Sequence, residues 1–310
     1  MGITIPLVID RTRLAGHGIS FNQYLQARNL FPTLKGLKLT EGTITYHPSE
    51  YTSRLHYALG KSEAIAAIEV WALPNKQCAL IYEIWPHRTG TRFREFHDAI
   101  TSTLQDEEFT YQSVFAHGHV QYIEYALDNL TRPMHSFIPW TPRAKYSTIY
   151  PRDIAHEDLG QIKIGAKRSP IRFSVYDYAL KMQELGLYNQ FPTRTRIEAI
   201  VFEPLLPGSL VQRMRPSQVD KQLNPFRHLE IAELSTARNL SPDIDWQQFL
   251  DIATAAEAGA PEAFKELTKE ERLKARKMLR LSKALWWNPD QAWAGHLQAN
   301  AKIHPQHLLQ

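Results

Sequence analysis

The chain has 310 residues, 43% hydrophobic and 11% aromatic, and a formal charge of +4 with a pI near 9.0. That composition excludes a disordered chain, and the mild basic excess favours polyanionic partners without requiring one. Cys78 is the single cysteine, which excludes an intrachain disulfide or a cysteine-based zinc site and suits a reducing cytoplasm.

The length suggests one large domain or two ordinary ones. The opening residues Met1-Gly-Ile-Thr-Ile-Pro lack a basic region followed by a long apolar run, so no secretory signal is expected there. Nor does any window reach the roughly 20 apolar residues of a spanning helix, so a soluble, cytoplasmic protein with no membrane segment is expected.

In chain order, β-rich runs occur at Thr43–Tyr46, Ala64–Leu73 and Cys78–Trp85. The last two flank Pro74-Asn75-Lys76-Gln77, a hairpin signal. Thr91–Leu104 has helical spacing, with Phe93, Phe96, Ile100 and Leu104 on one side. Tyr111–Leu127 reads as a strand, and the proline-rich stretch Pro133–Pro151 as a break in regular structure. Strands at Gln161–Ile164 and Ile171–Tyr176, a helix at Tyr178–Leu187 and a strand at Thr195–Phe202 complete an α+β pattern.

Pro204-Leu-Leu-Pro-Gly208 marks a boundary, and the chain beyond it reads as helical. The expected organisation is therefore an α+β domain over 1–204, with room for two similar halves, and a helical region over 205–310. Ser241-Pro242 has the form of a helix start, and Thr268-Lys-Glu-Glu271 that of a capping box. Lys269, Arg272, Arg276, Arg280 and Lys283 recur at three- or four-residue spacing, and residues 261–283 hold eight basic and four acidic side chains. Such a stripe would suit a DNA backbone, although an ordinary solvated helix face has the same composition.

The chemistry concentrates in Arg172-Phe-Ser-Val-Tyr176-Asp-Tyr178-Ala-Leu-Lys181. Strand alternation would set Arg172, Ser174, Tyr176 and Tyr178 on one face, with Lys181 a helical turn beyond Tyr178. Arg194, Arg196 and Glu198 alternate likewise. A tyrosine hydroxyl, with an ordinary pKa near 10, needs a base or neighbouring cations to act as a nucleophile. A packed strand tyrosine is the plainer reading. His117-Gly-His119-Val-Gln121 would project two imidazoles from one strand face, as a divalent ion requires, or mark a turn. Glu124 and Asp128 add hard carboxylate ligands suited to magnesium or manganese. His156-Glu157-Asp158 is a looser cluster in an expected loop.

The order Ile-Glu-x-x-x-Asp, then Ile-Gly-x-x-x-Ser-Pro-Ile-Arg-x-x-Val-Tyr-Asp, then Thr-Arg-Ile-Glu, over about residues 120 to 203, resembles the replication initiation factor family. These are rolling-circle replication initiators of plasmids and filamentous phages, related to the endonucleases with a His-hydrophobic-His motif (the HUH endonuclease superfamily). The resemblance implies an antiparallel-sheet catalytic core of that type, followed here by a helical C-terminal region. It implies a metal-dependent nicking and joining endonuclease acting on origin DNA, single-stranded or hairpin, through a 5′-phosphotyrosine and a free 3′-hydroxyl.

Carried over by position, it makes Tyr176 the nucleophile, or Tyr178 with Lys181 in support, and Arg172 or Arg196 the group that offsets developing charge. Glu124, Asp128, His119 and Glu198 become the ligands of a Mg or Mn ion. The stripe of Arg272, Arg276, Arg280 and Lys283 lies outside the matched span, and its charge pattern makes these residues the expected DNA contacts. Host helicase and polymerase are the implied partners, and a homodimer is among the assemblies it allows. Three departures stand out: Tyr178 replaces the expected lysine, Tyr122 the expected arginine, and Gly118 the hydrophobic residue expected between His117 and His119. A non-catalytic DNA-binding regulator using the basic helix is the main alternative. An interaction protein using its aromatic strands and Trp286-Trp287 is another.

Overall fold

Antiparallel strands with one covered face alternate apolar and polar residues, and this alternation organises most of the chain. The computed structural model describes residues 7–37, 39, 42–60, 63–130, 132–141, 147–151, 159–179, 181, 195–243 and 268–310, with backbone alone at 17, 129–130, 135, 147–151, 159–160 and 272. Its described residues form two compact units. One, the first unit, combines Val8–Tyr125, Phe202–Leu223 and His296–Gln310; the second takes the described parts of Met1–Leu7, Ala126–Val201 and Asn224–Gly295.

The first unit contains β1 (Leu7–Ile19), β2 (Thr43–Pro48), β3 (Thr52–Leu59), β4 (Glu63–Ala72), β5 (Cys78–Ile84) and the start of β6 (His119–Leu130). They lie in the order β2-β3-β4-β5-β1-β6. The β2–β3, β3–β4, β4–β5 and β5–β1 pairs are antiparallel. The expected hairpin between β4 and β5 forms, with Lys76 taking the positive φ of its turn.

Two helices cover the apolar face of these strands. Helix α1 (Phe21–Leu34) starts at a Ser20–Gln23 capping box and buries Tyr24, Ala27, Phe31 and Leu34. Helix α2 (Pro86–Leu104) buries the expected Phe93, Phe96, Ile100 and Leu104. Tyr57 stacks on Phe96 at 5.7 Å, and Tyr82 meets Phe93 edge-on at 6.5 Å.

The single strand expected over Tyr111–Leu127 is instead a helix, α3 (Tyr111–His117), followed by β6. Thr110 caps the helix through the Ser113 amide, and Tyr111, Val114 and Phe115 supply the buried stripe. Gly118 ends it against the Ala15 carbonyl, so close that an added Cβ would lie 2.3 Å from Ala15 O and 2.5 Å from Val114 O.

In the second unit the end of β6 is followed laterally by β11 (Thr195–Phe202), β10 (Ile171–Asp177), β9 (Leu159–Ile164) and β8 (Ser147–Pro151). A two-stranded sheet pairs β7 (Phe137–Trp140) with β12 (Glu230–Glu233). Strands β7 and β8 thus form within the stretch expected to break regular structure. Of the helix expected at Tyr178–Leu187, the described residues Tyr178, Ala179 and Lys181 are helical and the others lie outside the described residues, as do Arg194 and His156–Asp158.

The fold is α+β with a large antiparallel sheet, and the described part beyond Pro204 is mostly helical, as expected. Ser241 closes helix α4 (Leu234–Leu240), its amide donating to Ala237, where a helix start was expected. Residues 244–267 lie outside the described residues. The Thr268–Glu271 capping box forms and opens α5 (Lys269–Leu281). Lys269, Arg276 and Arg280 are exposed on it, opposite buried Ala275 and Leu279. Lys283 lies past the helix end, bridged to Ala232 rather than continuing the stripe.

Replacing Gly118 by alanine should lower the unfolding free energy by about 2 kcal/mol or more, because the new methyl meets backbone that cannot yield. Chemical denaturation measures this, and an unchanged midpoint would show that the β1–α3 approach relaxes freely.

Candidate active site

The sequence places Arg172, Ser174 and Tyr176 at alternate positions of β10, and Arg196 and Glu198 at alternate positions of β11. Antiparallel register sets these rows against each other, with Tyr176 opposite Arg196 and Ser174 opposite Glu198. Directly opposed residues share a sheet face, so the tyrosine, the arginine and the glutamate meet on one side. Phe173, Val175, Ile197 and Ala199 alternate with them and are buried in the core.

The Tyr176 hydroxyl donates to Glu198 Oε1 in a short contact. Arg196 Nη1 lies 3.5 Å from the same hydroxyl and 3.7 Å from Glu198 Oε1. The guanidinium also holds Asp128 of β6, with Nε at 2.7 Å and Nη2 at 3.2 Å. Tyr176 and Arg196 are 2% exposed and Glu198 4%. A buried arginine facing two carboxylates in this way satisfies charges that would otherwise be costly to desolvate.

Two residues beyond the strand complete the cluster. Lys181 Nζ stands 4.1 Å from the centre of the Tyr176 ring, and Arg196 Cζ 4.8 Å from that of Tyr178. The tyrosine rings are 6.5 Å apart, and Tyr178 is the more exposed of the two.

A second polar network occupies the face of the first unit's sheet that the helices leave uncovered. Arg11 and Arg13 on β1, Arg54 on β3, Glu69 on β4 and Glu83 on β5 converge there with Tyr122 of β6. Glu83 is fully buried and takes Arg11, Arg54 Nη2 at 2.7 Å and the Tyr122 hydroxyl at 2.5 Å. Glu69 takes Arg13 at 2.5 Å, Arg54 at 3.3 Å and the Trp71 indole at 2.8 Å. Burial alone would push the Glu83 carboxyl up, but Arg11, the Tyr122 hydrogen bond, Arg54 and Arg13 bring it below its ordinary value. Burial and the Glu83 charge push the Tyr122 hydroxyl well up.

No described protein family and no curated protein matches the sequence. Among solved structures, one described as a rolling circle replication initiator protein from Geobacillus stearothermophilus is 11% identical, with a TM-score of 0.35. The alignment covers 64% of this chain and 75% of that one. A likeness of this degree says nothing about activity.

The expected site residues are distributed unevenly. Tyr176, Tyr178, Lys181, Asp128 and Glu198 come together in the second unit, and Arg172 lies four residues before Tyr176 on the same strand face. Glu124 and His119 belong to the first unit. The two histidines do not share a strand, since His117 ends α3 and His119 begins β6. His119 receives an Arg213 contact at 3.0 Å, and burial with that positive charge lowers its pKa. In the second unit Asp128 and Glu198 both turn towards Arg196, whose guanidinium fills a cation's role there. In the first, Asp10 and Glu124 bring carboxylate oxygens within 4.8 Å of each other, and Asp10 also faces His87 at 3.5 Å and Arg88 at 3.9 Å.

Sequence reading missed Glu69 and Glu83. Their signal was a lone carboxylate inside each of two apolar strands, which demands a buried cationic partner. Because the Glu83 carboxyl is depressed, its stabilising effect is present above its ordinary value of 4.5 and lost as pH falls through the lower folded value. Acid titration of stability should therefore be steeper for the native chain than for Glu83→Gln between pH 4.5 and the lower folded value. Arg196→Ala should cost about 3 kcal/mol by leaving buried carboxylates uncompensated; denaturation within experimental error of the native chain would contradict this pairing.

Proposed function

We propose that this chain is a rolling-circle replication initiator that nicks origin DNA with Tyr176 as nucleophile. The observation that carries this reading is the Tyr176 hydroxyl donating to Glu198 beside Arg196 and Lys181. It is supported by the order of the motifs around Glu124, Asp128, Tyr176 and Glu198. A phenol needs a base to take its proton as it attacks and cations to receive the charge.

In the proposed step, the Tyr176 oxygen attacks phosphorus as its proton passes to Glu198. The bond from phosphorus to the 3′ oxygen breaks, and that oxygen takes a proton from water to become the 3′-hydroxyl primer. The 5′ end stays joined to Tyr176 as a phosphotyrosine. Arg196 holds Glu198 and Asp128 in place and, with Lys181, offsets negative charge at the phosphate. Tyr178 packs against the nucleophile under the same guanidinium. Asp10 and Glu124 are proposed to hold a magnesium or manganese ion in the first unit. The exposed cations of α5 would hold DNA backbone, and helicase and polymerase of the host would act on the nicked product.

One observation favours a second reading. Tyr176 is 2% exposed, as suits a structural tyrosine in a non-catalytic DNA-binding regulator. Single-stranded oligonucleotides tiled across the replicon that carries the gene, incubated with Mg or Mn and run on denaturing gels, separate the two. The initiator reading predicts a covalent adduct that Tyr176→Phe reduces by about a thousandfold or more, while Tyr178→Phe retains it. Salt-dependent DNA binding with no adduct from any oligonucleotide would support the regulator instead.

A further inference from the structure

Residues Glu203–Met214 of the first unit form a small ordered hairpin that the site above does not use. Its stem is closed by a Leu205–Arg213 bridge, by Met214 N to Pro204 O at 2.7 Å and by Leu206 N to Gln212 O at 2.9 Å. At the turn, Gly208 takes a φ of 86°, which suits glycine. The Ser209 hydroxyl accepts from the amides of Gln212 at 2.9 Å and Val211 at 3.3 Å. The base is tied to β6 through Val120 N to Met214 O at 2.9 Å and Glu203 N to Gln121 O at 2.6 Å.

This framework holds two adjacent apolar side chains out in solvent, Leu210 at 93% and Val211 at 86% exposure. A single exposed leucine is ordinary. Two at the tip of a hydrogen-bonded turn are different, because the backbone order prevents them from folding back onto the protein. Two side chains are also too small an apolar surface to anchor the chain on a membrane.

We propose that this hairpin is a wedge that inserts Leu210 and Val211 between base pairs of duplex DNA. Apolar side chains on a rigid projection partly unstack a base step and kink the duplex. The charge at the stem matches such a ligand. Arg213 and Arg215 outnumber the one acid, Glu203, within 203–215, and Arg213 is steadied by Glu203 at 3.3 Å and His119 at 3.0 Å. The reach matches as well. Val211 and Leu210 lie two and three residues from Arg213, about 7–10 Å along a strand, against a minor-groove depth of about 7.5 Å. With Arg213 at a phosphate on the groove edge, the tip therefore meets the base stack.

The inference rests on the nicking reading only for its ligand, DNA, and the test separates the two. Duplexes carrying 2-aminopurine beside a flexible TA step are mixed with the full chain at low salt, without divalent ions and in the Tyr176→Phe background. The native hairpin should raise the fluorescence several-fold, and Leu210→Ala with Val211→Ala should abolish the rise. Affinity for single-stranded oligonucleotides should be unchanged in the double variant, which also shows that it is folded. An equal rise in both proteins, or no rise with either, overturns the wedge whether or not a covalent adduct forms on single strands. Association with phosphatidylglycerol vesicles, or self-association, that the double variant loses while the native chain leaves duplex fluorescence unchanged would overturn it in favour of those partners.

Discussion

The guanidinium of Arg196 is the contact on which the second unit's polar face depends. Tyr176, Glu198 and Asp128 each bring polar atoms into a poorly solvated place, and two of them bring negative charge. One planar cation with donors in several directions can face all three, whereas a lysine at the same point could not span Asp128 and Glu198 together. The side chains around Tyr176 are thereby oriented before any substrate arrives. That orientation costs stability unless the arginine is present.

The first unit meets the same constraint with a different arrangement. Its helices cover only one face of the strands, and the other face carries charge deep enough that Glu83 is fully buried. Three arginines divide themselves between two glutamates, and a tyrosine hydroxyl completes the shell of Glu83. Each unit therefore contains a tyrosine hydroxyl donating to a buried glutamate beside arginine. In the first, the glutamate is saturated by cations. In the second it shares one arginine with Asp128 and leaves Lys181 over the tyrosine ring.

The surface carries a separate contribution. Cations on α5 and at the stem of the 203–214 hairpin are exposed, and an apolar pair held rigidly in solvent lies at the tip of that hairpin. Backbone contacts by the first kind of feature do not depend on sequence, while insertion by the second depends on how readily a base step opens.

Much of this was legible in the residues themselves. Alternation along 171–177 and 195–202 predicted both strands and their polar faces, and the Phe93–Leu104 spacing and the Thr268 capping box predicted their helices, because these depend on local periodicity and hydrogen bonding. The run 111–127 misled, since β-prone residues there serve a short helix whose end is decided by a glycine pressed against Ala15, a contact 103 positions away in sequence. The sequence by itself determined the strands at 171–177 and 195–202 and which of their side chains share a face, because strand alternation is local. Only the tertiary structure decided that Tyr176 stands opposite Arg196, that Asp128 turns to that arginine, and that Glu83 lies among three cations. Register and long-range packing set those distances, and neither is written in the spacing of residues along one strand.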